Sequence, residues 1–219
     1  AGAWASGVKA GLTAVRDHET TVLAWAGDGG TFDIGLQSLS GAAERNADFI
    51  YICNDNEAYM NTGIQRSSAT PITAWTTTTP LPCPKEQPKK NITEIMAAHR
   101  IPYVATAALA CPDDFLRKIE KAKSIRGMKF IHVLSPCPTG WRFPPGSTVK
   151  VSRLAVQSRV FPLYEVENGT QYVLQRPRQQ VPGRFSHLTQ EEVAAVQGNV
   201  DGWWDQLRAR ASSVIELAS

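Results

Sequence analysis

No two of the four cysteines, Cys53, Cys83, Cys111 and Cys137, lie within three residues of each other. A self-contained zinc or iron–sulfur site normally has at least one close pair, so this spacing argues against one. A disulfide-stapled secreted scaffold also fits poorly with 219 residues of which 42% are hydrophobic. Basic runs are missing too. None is longer than Lys89-Lys90, and no aromatic residues interleave with basic ones, so nothing marks a nucleic-acid footprint. No apolar run approaches the roughly 18 residues that cross a membrane, and there is no signal-peptide pattern. The charge lacks a dominant sign: 23 basic and 20 acidic residues leave a net +3. These absences leave a globular chain with a sizeable core, expected in the cytoplasm. Initiator Met is missing as well. Ala1 to Val15 reads as a small-residue helix already in progress, so upstream residues are expected.

What is present is an alternation of strand and helix patterns. Thr21–Ala26 is an apolar run of strand length, ended by Gly27-Asp28-Gly29-Gly30. Thr31–Arg45 carries helical spacing, and Asp48–Cys53 reads as a second buried strand. Residues 54–90 are rich in Asn, Thr and Pro with little periodicity; a loop of that length in a compact domain is usually functional. Ile92–His99 and Pro112–Ile125 read as helices, Tyr103–Ala107 and Lys129–Leu134 as strands. Thr148–Val160 is predicted helical. Asn168-Gly169 predicts a hairpin turn between strands Leu163–Val166 and Tyr172–Gln175. Arg176–Arg184 reads as a linker. A helix over His187–Val196, opened by a Thr189/Glu192 capping box, and a last helix over 201–216 complete the chain. The pattern implies an α/β fold, a parallel sheet with helices on both faces plus a C-terminal hairpin and helical arm. The expected division is a ligand-binding domain over 1–160 and the arm over 161–219.

The glycine turn sits where parallel sheets bind ligands, beyond a strand's carboxyl end and before a helix. Glycines let a backbone approach phosphate oxygens, and the helix start offers free N–H groups. Phosphate alone would not call for Asp28, which would repel it. A Mg²⁺ between carboxylate and diphosphate explains both. Asn56 follows Gly29 with 26 residues between them, at the end of the next strand. Its amide oxygen, Asp28 and the Ala58 carbonyl would give three of six ligands. A tight strand–helix turn without a ligand is the plain alternative for a lone Gly-Asp-Gly; the spaced Asn56 favours the metal.

The segments Ala24–Gly35 (AWAGDGGTFDIG) and Asn54–Pro71 (NDNEAYMNTGIQRSSATP) resemble the thiamine-binding region of 2-oxoacid:ferredoxin oxidoreductase β subunits. Ile101–Ala107 and His132–Trp141 (HVLSPCPTGW) are similar to it as well, so the resemblance covers most of the chain, and Asn61–Pro71 looks most like the pyruvate enzymes. The resemblance implies Mg²⁺ on Asp28, Asn56 and the Ala58 carbonyl. It implies the diphosphate of thiamine diphosphate on Gly27, Gly29, Gly30 and the backbone near Tyr59. Asn61 matches the asparagine near the thiazolium and substrate, and Cys137 a ligand of a [4Fe–4S] cluster. The cluster's other ligands come, in that family, from a cysteine-rich stretch before the thiamine motif; no cysteine precedes Cys53 here.

The implied reaction is oxidative decarboxylation of pyruvate to acetyl-coenzyme A, or its reverse, with electrons passed through iron–sulfur clusters to ferredoxin. The carboxylate that activates thiamine comes from a partner subunit in that family. Glu44, late on a helix running away from the diphosphate, and Glu57, inside the metal loop, do not qualify. The chain is therefore expected to be half of a site, completed by an α subunit with or without γ and δ subunits. Other 2-oxoacids such as 2-oxoisovalerate or oxalate, and a non-catalytic assembly role, are the alternatives. The histidines form no pair with catalytic or metal spacing, and Trp203-Trp204 reads as a docking anchor.

Overall fold

The computed structural model describes residues 1–81, 83–176 and 190–217. Seven strands form one sheet in the order β1-β2-β4-β3-β5-β6-β7. Strands β1 (Leu23–Gly27), β2 (Ile50–Asp55), β4 (Lys129–Leu134) and β3 (Tyr103–Ala108) run parallel. β5 (Leu163–Glu167) pairs antiparallel with β3, β6 (Gln171–Arg176) antiparallel with β5, and β7 (Ala211–Glu216) parallel with β6. The sheet is thus mixed but mostly parallel, and the hairpin of β5 and β6 extends it.

Both faces of β2, β3 and β4 are covered, which accounts for their unbroken apolar stretches. On one face α1 (Gly2–Ala14), α2 (Leu36–Glu44), α3 (Ile92–Ala98) and α7 (Gln190–Arg210) bury Ala5, Leu39, Ile92, Met96 and Trp204 against Tyr51, Val104 and Phe130. On the other, α4 (Pro112–Ser124) lays Phe115, Ile119 and Ala122 over Ile52, Ala105 and Ile131. α4 follows its sequence signals: Pro112 opens it, Asp113 and Asp114 stand in the first turn, and Lys121 and Lys123 in the last, each matched to the helix dipole. β1 is an edge strand, and α4 does not cover its outer residues. Leu23 and Trp25 pair in register with Ile50 and Ile52, yet remain about half exposed, at 48% and 56%.

Two segments depart from the expectation. Thr31–Arg45 is not one helix: a π-helical turn, Gly29–Asp33, precedes α2. At the break, a side chain on Gly35 would collide with the Gly30 carbonyl. At the C-terminus, the predicted helix over 201–216 is wrong. A single helix runs from Gln190 to Arg210, and Ala211–Glu216 is a strand. Val200, Trp204 and Leu207 are buried, and this packing carries the helix across Gly198 and Gly202. The β-branched Val214-Ile215 then pairs with β6, a tertiary partner that helical spacing cannot reveal. The predicted linker 176–184 and the cap at His187–Thr189 lie outside the described residues, apart from Arg176. Two short elements were not foreseen: a helical turn α5 (Pro138–Trp141) and a 3-10 turn at Pro145–Ser147, followed by α6 (Thr148–Gln157).

Candidate cofactor and metal site

Parallel pairing of β1 with β2 sets Gly27 beside Asn54, so the turns that follow each strand start side by side. Residue 28 leads into the π-helical turn, and Thr31 Oγ1 donates back to the Gly27 carbonyl at 2.7 Å, tightening the bend. A Cβ on Gly29 would strike the Tyr59 ring, whereas Cβ atoms on Gly27 and Gly30 would meet nothing within 4 Å. The turn is therefore packed against protein at Gly29 and open at Gly27 and Gly30. An open backbone at a helical start is what a diphosphate group requires.

Asp28 is 2% exposed. Its Oδ2 accepts from Ser67 Oγ at 2.6 Å. Its other oxygen faces Asn56. One terminal atom of the Asn56 amide lies 3.1 Å from Asp28 Oδ1 and 2.8 Å from the Ala58 carbonyl oxygen. With nitrogen in that place, the amide donates to both. With oxygen there, three acceptors converge, a geometry that only a cation satisfies. Ligands at about 2.0–2.1 Å in an octahedron stand about 2.9 Å apart, so the spacing suits Mg²⁺. One carboxylate, one amide and one carbonyl are also the oxygen donors that Mg²⁺ takes while sharing phosphate oxygens. Among the described residues no group of three His, Cys, Asp or Glu is placed to hold a metal.

The remaining expected residues surround this point. Tyr59 bridges the two turns: its hydroxyl lies 3.1 Å from both the Gly29 carbonyl oxygen and Asp33 Oδ2. Burial and the Asp33 carboxylate push it up to about 12, so it stays a neutral donor. Asn61 is exposed two residues beyond. Cys137 caps α5, half-buried, and its carbonyl accepts from the Trp141 N–H at 2.9 Å. The Trp141 indole in turn donates to the Asn56 carbonyl at 2.9 Å, which places the Cys137 turn against the turn that carries Asn56. Glu44 ends α2 on the surface, and Glu57 is committed to Lys89.

A buried layer that sequence reasoning missed lies beneath the loop. Asp55 is fully buried and ionised. Burial alone would push its carboxyl up, but Lys89 at 2.6 Å and His132 at 2.7 Å outweigh that and hold it at about 2. His132, kept neutral by burial, donates through Nε2 to Asp55 and accepts from Thr93 Oγ1 at Nδ1, 3.1 Å away. Asp28 has no such cation. Burial and the nearby Asp55 charge push it up to about 7. Two adjacent carboxylates thus sit in opposite states, one neutralised by protein and the other left to a ligand. No spacing rule pointed to Lys89 or His132, which look in sequence like a loop lysine and a strand histidine.

A family model described as the thiamine pyrophosphate enzyme C-terminal TPP binding domain matches residues 1–133. The chain belongs to this family. Over 219 aligned residues this thiamine pyrophosphate-binding chain is 50% identical to pyruvate synthase subunit PorB of Methanocaldococcus jannaschii, covering 92% of this chain and 74% of that one. It is 47% identical over 228 residues to ketoisovalerate oxidoreductase subunit VorB of Pyrococcus horikoshii, covering 96% and 73%. Its fold is similar to 2-oxoglutarate:ferredoxin oxidoreductase from Magnetococcus marinus, a structure with 2-oxoglutarate, coenzyme A and succinyl-CoA bound. The TM-score is 0.60 at 23% identity, with all of this chain and 60% of that one covered.

Proposed function

We propose that this chain is the thiamine diphosphate- and Mg²⁺-binding β subunit of a 2-oxoacid:ferredoxin oxidoreductase acting on pyruvate. The observation that carries the reading is the convergence of Asp28, Asn56 and the Ala58 carbonyl beside an open glycine turn. When bound, thiamine diphosphate would supply the nucleophile and the electron sink for decarboxylation of a 2-oxoacid. The chain's own part is to hold and orient. Asp28, Asn56 and the Ala58 carbonyl would hold Mg²⁺, the N–H groups at Gly29 and Gly30 would hold the diphosphate, and Tyr59 braces the turn through its hydroxyl. Asn61, exposed at the rim, is assigned to the substrate side.

Neither of the two candidate glutamates is placed to activate the cofactor: Glu57 pairs with Lys89, and Glu44 lies at the far end of α2. A partner α subunit is assigned that role, with γ and δ subunits, ferredoxin and coenzyme A as the further partners. Leu23, Trp25 and Ile34 stand exposed on either side of the glycine turn, as a surface closed by such a partner would. Among the described residues no group of three or more His, Cys, Asp or Glu comes together to hold an iron–sulfur cluster. Cys137 is proposed as one ligand, with the others supplied from outside this sequence.

The test is cofactor analysis and turnover of the natively purified complex. Stoichiometric thiamine diphosphate and Mg, iron at about four or more atoms per chain as a [4Fe–4S] cluster requires, and coenzyme A-dependent CO₂ release from pyruvate are expected. Absence of both thiamine and Mg refutes the reading. Similarity to the ketoisovalerate subunit favours 2-oxoisovalerate as the second substrate to assay.

A further inference from the structure

Lys89-Lys90, the longest basic run in the sequence, lies at the returning end of the 54–90 loop, just before the Asn91 cap of α3. The two side chains go to different halves of the candidate metal site. Lys89 Nζ lies 2.6 Å from Asp55 Oδ2 and 2.9 Å from Glu57 Oε1, so it holds the turn that presents Asn56 and Ala58. Lys90 Nζ donates to the Phe32 carbonyl and stands 3.9 Å from Asp33 Oδ1, so it holds the turn that begins at Asp28. The Lys90 backbone N–H also donates to the Ser68 carbonyl at 2.9 Å, one residue from the Ser67 that bonds Asp28. Neither ammonium hydrogen-bonds to Asp28, Asn56 or Ala58.

We propose that Lys89 and Lys90 are positioning residues that clasp the Asn56–Ala58 turn to the Asp28 turn and set the ligand geometry for Mg²⁺; this rests on the metal reading above. The key is Glu57, whose φ of +70° is a left-handed conformation that non-glycine residues rarely adopt. It bends the chain so that the Asn56 side chain and the Ala58 carbonyl, two residues apart, face one point. Such a residue persists only when its surroundings over-determine it. Three bonds do so. Its N–H donates to Asp55 Oδ1 at 2.8 Å, its carbonyl accepts from Thr70 Oγ1 at 2.6 Å, and its carboxylate pairs with Lys89. Lys89 grips two of these three, since Asp55 is its other partner. His132 donates to the same Asp55 Oδ2 that Lys89 holds, and the rings of Phe32 and Phe161 lie about 6 Å from the Lys89 ammonium, limiting its contact with water.

The metal-free native complex decides the matter. Mg²⁺ is titrated at fixed thiamine diphosphate by calorimetry, and hydrogen exchange of residues 54–60 is followed without metal. Lys89→Met and Lys90→Met are compared with Lys90→Arg, and with Lys118→Met, which removes a more deeply buried lysine bonded to Asp114 on the α4 side. Loss of an outer-shell partner typically weakens metal binding about 10–100-fold. That loss, with faster exchange at 54–60, is expected for Lys89→Met and, towards the lower end, for Lys90→Met. Lys90→Arg should restore it, and Lys118→Met should keep wild-type Mg²⁺ affinity. If Lys89→Met fails to assemble, Lys90→Met decides alone. Wild-type affinity in the Lys90→Met complex overturns the clasp, as does an equal loss from Lys118→Met. A wild-type complex that binds neither Mg²⁺ nor thiamine diphosphate overturns the clasp and the proposed function together.

Discussion

Magnesium binding should expel a proton from Asp28. The carboxyl is buried beside the Asp55 charge, without a cation of its own, and is held at about 7 in the metal-free protein. A metal ligand must be deprotonated. One pH unit either side of that value, the acid is about 90% protonated at pH 6 and about 10% at pH 8. Each Mg²⁺ bound should therefore release about 0.9 proton at pH 6, about 0.5 at pH 7 and about 0.1 at pH 8. Mg²⁺ affinity should fall about tenfold from pH 8 to pH 6, or about 1.4 kcal/mol. Calorimetric titration in two buffers of different ionisation enthalpy measures the proton count directly. Asp28→Asn should abolish both the release and most of the affinity. Proton release near zero at pH 6, with undiminished affinity, would falsify this account of Asp28. Stability carries the same signature with a definite sign. The folded value lies above the ordinary 3.8, so this group's stabilising contribution is full below about pH 4 and is lost as pH rises through about 7. The metal-free protein should accordingly lose stability from Asp28 across that window, and Mg²⁺ should restore it.

Other substitutions separate packing from ligand binding. Gly29→Ala drives a methyl into the Tyr59 ring and should destabilise the metal-free complex by about 1–3 kcal/mol in denaturant unfolding. Gly30→Ala points into open space, so stability should hold while thiamine diphosphate affinity drops; a wild-type affinity would mean that the diphosphate lies elsewhere. Cys137→Ser should lower the iron content of the native complex and leave its thiamine diphosphate content unchanged, whereas unchanged iron would return Cys137 to a structural thiol. Tyr103→Phe removes a 2.8 Å bond to the buried Glu165, which keeps Arg117 and Lys121, and should cost about 1 kcal/mol without altering Mg²⁺ binding.

The sequence by itself determined the alternation of strands and helices, the glycine turn at a strand's carboxyl end and the pairing of Asp28 with Asn56. These are local or periodic features. A buried parallel strand must be apolar throughout, a phosphate-facing turn needs glycine, and residues after adjacent strand ends come together once β1 pairs with β2. Tertiary structure alone decided the rest. Ala211–Glu216 became a strand because β6 offered a free edge, and α7 ran past two glycines because Trp204 and Leu207 had a core to enter. The contrast between Asp28 and Asp55 was likewise invisible, since it depends on Lys89 and His132, which reach Asp55 from 34 and 77 residues away. A carboxylate's charge state is set by what folding brings within about 4 Å of it, and sequence distance does not measure that.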